Sequence, residues 1–282
     1  MHDVLIWGAL LGAGLVAGWI NTLAGTGSVI AIPALIFWGL PAGIANATLR
    51  VAIVVQCATG LIAYRRSGLA IQRSDLRVVL PTLVGAGAGA FAASRLPNAI
   101  FEPLLIGTLA VMAVALLWDP RALAPGPDER PRTPHLVGIL ALIGAGFYGG
   151  MLQAGVGLVL LVVLSGLLRY DLVRGNALKL VITLAVNVVT LGVFLAADQV
   201  RWAPGAVMAI GNMVGAWLAV RFAVKRGQDQ VKKVVVAVVL LSCTWLLVRA
   251  LRGHAEDGGR QGDHRQGDEQ GQHDPHAPML TR

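Results

Sequence analysis

The sequence predicts an all-α polytopic membrane protein built from two inverted repeats, each with a glycine-broken first segment followed by three full spans. Three observations lead to this prediction. The 282 residues are 56% hydrophobic and only 13% charged, and several windows of 18 or more residues lack charge altogether, as transmembrane helices do. Two short glycine motifs interrupt apolar runs at matching places. Basic residues are distributed oppositely over equivalent loops of the two halves.

The first glycine break lies within residues 21–28, in the middle of the first apolar run. Gly25 and Gly27, flanked by polar residues, disfavour a continuous helix. In lipid, non-helical backbone is tolerated only where protein or a water-filled cavity satisfies its polar groups. We therefore expect the break inside the protein, with φ > 0 at Gly27 and at its counterpart Gly157. A second helix should begin near Ser28 and direct its free N–H groups inward.

The rest of the chain repeats this arrangement once. Three full spans follow the first break, and after a Pro-rich, charged stretch a second apolar run reaches a second break at residues 153–157. Three further spans complete the second half, and a polar tail with almost nothing to bury is expected to be disordered. The predicted divisions are a first membrane repeat (1–118), a linker (119–134), a second membrane repeat (135–251) and the disordered tail (252–282).

A fixed shift of 130 residues relates the two halves. It carries Asn46 to Asn176 and superimposes the two Gly-x-Gly pairs, and it needs no gap over residues 8–93. Matches among Gly, Ala and Val are common between apolar segments. An asparagine match and a glycine-pair match in one register are more specific, and they indicate an internal duplication.

The loop charges predict how the halves are oriented. Loop 65–77 carries four arginines and should be cytoplasmic, whereas its counterpart 195–207 carries one. The loop near Arg95 is lightly charged, whereas its counterpart 225–233 carries four basic residues. Equivalent loops therefore face opposite sides, as in inverted repeats. Inversion requires each broken segment to cross as two short helices. The alternative, a re-entrant hairpin with four spans per half and no inversion, stays open.

Two basic residues, Arg50 and Lys179, lie well inside predicted spans with no acid nearby. Charges at that depth are costly and mark functional or paired groups. The alternatives are that both snorkel or bond to carbonyls, and that Asn46 and Asn176 brace the breaks by hydrogen bonding to freed backbone. The candidate substrate-binding residues are, in the first half, Asn21, Gly25, Thr26, Gly27, Ser28, Asn46, Arg50 and Gln56, and, in the second half, Gln153, Gly155, Gly157, Asn176, Lys179, Thr183 and Asn187.

Several functional classes are disfavoured by what the spans lack. All histidines lie at an end, in a loop or in the tail, and acidic residues avoid the span interiors. An intramembrane metal site or a carboxylate acid–base pair therefore has no candidate residues. We expect no enzyme activity, no metal and no cofactor. The net charge of +8 sits in loops and span ends, so it indicates topology rather than nucleic-acid binding.

The pattern G-x-x-x-x-x-x-G-x-G, followed by Pro33, a short helix and Asn46-Ala47, resembles the sulfite exporter TauE/SafE family of bacterial membrane transporters. The resemblance covers residues 8–250. It implies a multi-pass inner-membrane permease for a small anion, namely sulfite, an organosulfonate or a short carboxylate, with export the favoured direction. A passive anion channel and a non-transporting membrane partner are the alternatives. The anion itself, the ion coupling and the oligomeric state, a homo-oligomer included, stay open.

Overall fold

The computed structural model describes residues 2–66, 73–115 and 135–225, and these residues are helical without any strand. The predicted linker, the last predicted span (234–251) and the predicted tail lie outside them. The helices are α1 (His2–Ala24), α2 (Ser28–Phe37), α3 (Ala42–Arg66), α4 (Val79–Arg95), α5 (Asn98–Ala115), α6 (Leu136–Met151), α7 (Val156–Leu161), α8 (Leu172–Ala196) and α9 (Trp202–Lys225). A 3₁₀ turn (Arg73–Val78) precedes α4, and a π-helical turn (Val162–Leu167) continues α7.

Five helices of the described ranges are long and apolar enough to cross a membrane: Val4–Leu23, Ala42–Arg66, Leu76–Arg95, Arg174–Ala196 and Trp202–Lys225. The prediction of an all-helical polytopic membrane protein is therefore confirmed. The first break is shorter than expected, because α1 continues through Ala24. The second helix begins at Ser28, as predicted.

Two pairs of helices pack closely, and each pair contains one helix from each half. α4 packs on α6, where a Cβ added to Gly146 would lie 2.0 Å from the carbonyl oxygen of Thr82. α1 packs on α9, where a Cβ added to Gly18 would lie 2.4 Å from the carbonyl oxygen of Asn212. Small residues let helix backbones approach in this way within a membrane. The halves therefore interlock rather than forming separate bundles.

The two long helices α3 and α8 run antiparallel through the centre. Gly60 lies against Leu180, where a Cβ added to the glycine would lie 2.8 Å from the leucine Cδ1, whereas the earlier residue Arg50 contacts the later residues Thr190 and Phe194. Residue numbers therefore increase along α3 in the direction in which they decrease along α8. The repeat makes these two helices equivalent, so their antiparallel course is the one that inverted repeats require. The membrane orientation itself stays a prediction.

Candidate functional site

The two glycine breaks cross in direct backbone contact. A Cβ added to Gly25 would lie 2.3 Å from the carbonyl carbon of Gly157, and one added to Gly157 would lie 2.4 Å from the Cα of Gly25. Neighbouring polar residues are covered as well, with Thr26 and Gln153 each only 1% exposed. The breaks therefore lie inside the protein, as the sequence predicts. They bring the starts of α2 and α7 to one place.

The left-handed backbone falls at different glycines from those expected. The positive φ angles belong to Gly25 (77°) and Gly155 (66°). Gly27 has φ −60° and already forms the right-handed N-cap of α2, and Gly157 lies within α7. The expectation of φ > 0 at Gly27 and Gly157 was wrong. These two glycines are required by space instead, because a Cβ on Gly27 would lie 2.0 Å from the Ala17 carbonyl oxygen.

Lys179 binds the carbonyl end of α1. Its Nζ donates to the carbonyl oxygens of Asn21 and Thr22, each at 3.1 Å, and to the Oδ1 of Asn176 at 2.8 Å. The Nδ2 of Asn176 donates to the next carbonyl, that of Leu23, at 3.3 Å. The last carbonyls of a helix lack helical partners and carry partial negative charge. Two side chains from α8 satisfy them here.

Arg50 binds the carbonyl end of α6 in the same way. Its Nη2 donates to the carbonyl oxygens of Gly149 at 3.2 Å and Gly150 at 2.5 Å. Its Nη1 donates to the Thr190 hydroxyl at 2.8 Å and also, at 3.3 Å each, to the Gly149 carbonyl and the Gln153 Oε1. The guanidinium carbon lies 4.7 Å from the centre of the Phe194 ring.

Asn46 completes this second set by donating from its Nδ2 to the Met151 carbonyl oxygen at 3.1 Å. Each half's long helix thus supplies one asparagine and one cation to the broken helix of the other half. The sequence left open whether these four residues contact substrate or bond to backbone carbonyls. The structure places all four against carbonyls, and whether they also contact a substrate stays untested.

The reciprocal bonds also correct the repeat register. Lys179 and Asn176 bond to carbonyls 21–23, and Arg50 and Asn46 bond to carbonyls 149–151. These positions are 128 apart, whereas the paired glycines are 130 apart, so the gap-free alignment was wrong at the ends of α1 and α6. The second break accommodates two extra residues. Gln153 there adopts φ 55°, and the Tyr148 hydroxyl donates to the Ala154 carbonyl oxygen.

A second polar group surrounds Gln56. Its Oε1 accepts hydrogen bonds from the Nδ2 of Asn21 at 3.0 Å and of Asn212 at 3.5 Å, and its Nε2 donates to the Thr22 hydroxyl at 3.2 Å. Asn212 was not among the predicted site residues. The signal that could have found it is its place in the Gly211-x-x-x-Gly215 segment, where a lone amide in a close-packed apolar span needs a partner.

The remaining predicted residues line the breaks or the α8 face. The Ser28 hydroxyl accepts a hydrogen bond from the Gly155 N–H at 2.8 Å, which ties the two breaks together. Thr183 and Asn187 follow Lys179 along α8 at helical spacing, and the Nδ2 of Asn187 donates to the Thr183 carbonyl oxygen at 2.8 Å. Buried side-chain atoms near the breaks and along α3, α8 and α9 that lack a partner in the described structure include Thr26 Oγ1, Asn46 Oδ1, Arg50 Nε, Thr183 Oγ1, Asn187 Oδ1 and Asn212 Oδ1.

The two buried cations have no carboxylate partner among the described residues. An exposed ion pair joins Arg201 to Asp198 just beyond the end of α8, whereas Arg50 and Lys179 are 0% and 1% exposed. Dipoles of carbonyls, amides and a hydroxyl face their charges, and the Phe194 ring faces that of Arg50. Each helix C-terminus contributes about half a negative charge. The region around the breaks is therefore left with a net positive charge.

Residues 10–246 match the family model described as "Sulfite exporter TauE/SafE". The chain belongs to the sulfite exporter TauE/SafE family. The matched range contains both breaks and both buried cations, so the site described above lies within the part that the TauE/SafE family shares.

Curated relatives of this TauE/SafE chain carry the same general description. A probable membrane transporter protein, ORF9, of Sinorhizobium sp. is 27% identical over 83% of this chain and 90% of its own length. A probable membrane transporter protein of Haemophilus influenzae is 25% identical over 79% of this chain and 87% of its own length. The probable membrane transporter protein YfcA of Escherichia coli K12 is 26% identical over 88% of this chain and 91% of its own length. No solved structure matches the chain significantly. These names indicate a membrane transporter rather than an enzyme.

Proposed function

We propose that this protein is a permease of the bacterial inner membrane that exports a small anion: sulfite, an organosulfonate or a short carboxylate. Membership of the TauE/SafE family supports transport, and the name of the family supports sulfite as the first substrate to try. The observation that carries the proposal is the pair of buried cations beside the crossing breaks, with no carboxylate partner among the described residues.

The charges near the breaks favour an anion over a cation. Lys179 and Arg50 contribute two positive charges, and the C-termini of α1 and α6 offset about half a charge each. The N-terminus of α2 adds about half a positive charge beside the unpartnered Thr26 hydroxyl. The sum is roughly one to two positive charges. Within a low-dielectric interior such a field attracts anions and repels cations.

The proposed binding residues divide into two kinds. Thr26, Ser28 and the glycine backbone at Gly27 and Gly157 would contact the anion, since hydroxyl and N–H donors meet there. The N–H groups of Gly25 and Gly155 are already bonded to the Asn21 carbonyl and the Ser28 hydroxyl, so these two glycines would shape the site. Lys179 has all three of its donors engaged, so it would act through its charge rather than by contact. Arg50 keeps one free donor, its Nε.

The burial of the breaks bears on the choice between a carrier and a channel. Thr26, Ser28 and Gln153 are each no more than 3% exposed, so an anion could reach them only after a rearrangement. A carrier that alternates access has such a rearrangement in each cycle, whereas a continuously open pore does not. Burial therefore favours a transporter over a passive channel. A single-channel current far above transporter turnover would contradict this preference.

The decisive experiment is binding followed by flux. We expect the purified protein to be thermally stabilised by at least one of sulfite, sulfate, thiosulfate, taurine, sulfoacetate or a short carboxylate, because a ligand of the folded state raises Tm. The stabilising anion should then move across proteoliposomes. Absence of both effects for every anion would overturn the proposed function and favour a non-transporting membrane partner.

A matched pair of variants tests the site itself. Thr26→Val removes a buried hydroxyl without a partner, and we expect it to weaken anion binding about tenfold, the loss of roughly one hydrogen bond to a charged group. Thr59→Val is the control, because the Thr59 hydroxyl is already bonded to the Val55 carbonyl at 2.8 Å. Equal affinity in both variants would show that the anion binds elsewhere.

A further inference from the structure

The surroundings of the Lys179 ammonium are those of a cation site. Three oxygens surround it: two backbone carbonyls at the C-terminal end of a broken helix, at 3.1 Å, and the Oδ1 of Asn176, at 2.8 Å. In transporters with broken helices, such carbonyls and helix C-terminal ends coordinate the coupling Na⁺. In this chain the position is filled by a covalently attached ammonium group.

The orientation of the Asn176 amide shows that the three oxygens are true acceptors. Its Nδ2 donates to the Leu23 carbonyl oxygen, and a carbonyl oxygen can only accept, so the Oδ1 must face Lys179. Three acceptors and no donor around Nζ match an ammonium group, which has three donors and no acceptor. The coordination of the ammonium is complete.

Arg50 fills the equivalent position at the other break. Its guanidinium donates hydrogen bonds to the carbonyl oxygens of Gly149 and Gly150 and to the Oε1 of Gln153. The carbonyls bound by the two cations stand at equivalent places of the two halves. The cations themselves are not equivalent by sequence, because a shift of 130 carries Arg50 to Leu180 and Leu49 to Lys179. Two different residues therefore deliver a cation to the same position of each half.

We propose that Lys179 and Arg50 are tethered cations, which occupy from within the chain the two helix C-termini at which a coupling cation would otherwise bind. The first consequence is structural: without Lys179, its three oxygens form a site for a small monovalent cation or a primary alkylammonium ion. The second consequence rests on the proposed function. Anion movement through this protein needs no Na⁺.

The structural consequence is tested by chemical rescue of Lys179→Ala. This change removes the three carbons and the ammonium that n-propylammonium reproduces. It takes one donor from each of three buried oxygens, of which the Asn21 carbonyl keeps its bond from the Gly25 N–H. We expect Tm in detergent to fall by roughly 5 °C, as the loss of one to two buried interactions does in a protein of this size. Millimolar n-propylammonium should restore much of that loss. Tetramethylammonium, which has the same charge but no N–H donor, should not.

Two further variants serve as controls. Lys225→Ala makes the same change at the exposed end of α9, and its Tm should respond equally to the two ammonium ions. Lys179→Met fills the space but lacks the charge, so it should be destabilised without being rescued. Equal effects of both ammonium ions on Lys179→Ala would overturn the tethered-cation assignment. If Lys179→Ala does not fold, the Tm of Arg50→Ala is measured instead. There ethylguanidinium replaces n-propylammonium as the rescuing ion, and tetramethylammonium stays the ion that should not rescue.

The functional consequence is tested on the unmodified protein. Anion flux in proteoliposomes should be the same in sodium medium and in N-methylglucamine medium. A flux that falls severalfold without Na⁺ would overturn the second part of the proposal. The rescue measurement depends on no anion, so failure of the proposed function would leave it intact, and the two failures can be told apart.

Discussion

At the scale of single residues, Gly25 and Gly155 are constrained by their left-handed backbone. Both have positive φ, and a Cβ on Gly25 would meet the backbone of Gly157 at 2.3 Å. At Gly25 a side chain would combine left-handed strain of about 1 kcal/mol with a backbone clash that only movement of a whole break can relieve. At Gly155 the argument rests on the left-handed strain alone. We expect Gly25→Ala to lower the unfolding free energy by at least about 2 kcal/mol and Gly155→Ala to lower it by about 1 kcal/mol, measured by thermal or chemical unfolding in detergent.

The same helices supply controls for this prediction. A Cβ on Gly12 of α1 or on Gly144 of α6 would meet nothing within 4 Å. Gly12→Ala and Gly144→Ala should therefore be neutral or stabilising by about 0.5–1 kcal/mol, because Ala is the better helix former. If the break variants were as stable as these two, the breaks would be loose loops rather than packed crossings.

Residue identities in the site were partly predictable from the sequence. Arg50 and Lys179 stood out because a charge inside an apolar span needs a partner, and both are fully buried, as that argument requires. Their partners could not be predicted, because backbone carbonyls leave no mark in the sequence. Asn212 was missed for a related reason. Its importance comes from Gln56, a residue 156 positions away.

At the scale of helices, the close approach of α4 and α6 depends on particular glycines. A Cβ on Gly146 would lie 2.0 Å from the Thr82 carbonyl oxygen, whereas one on Gly144, on the same helix, would meet nothing. Gly146→Val must push the two backbones apart, and without tight contact little else holds helices together in lipid. We expect Gly146→Val to lower Tm by several degrees more than Gly144→Val.

Two features of the helices could be predicted only in part from the sequence: the packing partner of α4 and the end of α1. The spacing Gly85-x-x-x-Gly89 is typical of a close helix contact, and both glycines lie against the backbone of α6, but nothing in the spacing identifies α6 as the partner. The first break was predicted within residues 21–28, because Asn21 and Thr22 disfavour a helix in isolation, whereas α1 continues through Ala24. Lys179 and Asn176 supply bonds to the end carbonyls from a distant part of the chain, and these stabilise the additional turn.

At the scale of the whole molecule, the predicted inverted repeat implies a topology that can be tested. The equivalent helices α3 and α8 run antiparallel, so their C-terminal ends should face opposite sides of the membrane. Arg66 is exposed at the end of α3, and the side chain of Asp198 is 99% exposed just beyond α8. In a background with Cys57 and Cys243 replaced by Ala, Arg66→Cys should be labelled from the cytoplasm by an impermeant maleimide and Asp198→Cys from outside. Labelling of both from one side would contradict the inversion.

The charge of the whole molecule predicts what drives transport. The described spans pair no carboxylate with the buried cations, so the usual relay for proton coupling has no residue to carry it, and the proposed tethered cations take the places of a coupling Na⁺. An inside-negative potential alone favours anion exit by about 2.3 kcal/mol per charge per 100 mV. For a dianion such as sulfite the free energy of exit is roughly twice as large, which is enough for a ratio of outside to inside anion concentration of about 10³ at equilibrium.

We therefore expect anion efflux to follow the membrane potential and to persist without a pH gradient. In proteoliposomes, a potassium diffusion potential set by valinomycin should change the rate and the final gradient of the anion, and its reversal should reverse the direction of net flux. A pH gradient at zero potential should have no comparable effect. If the pH gradient alone drove the flux and the potential did not, a proton would have to travel with the anion. The absence of a carboxylate relay among the described spans would then point to the protonated substrate as its carrier.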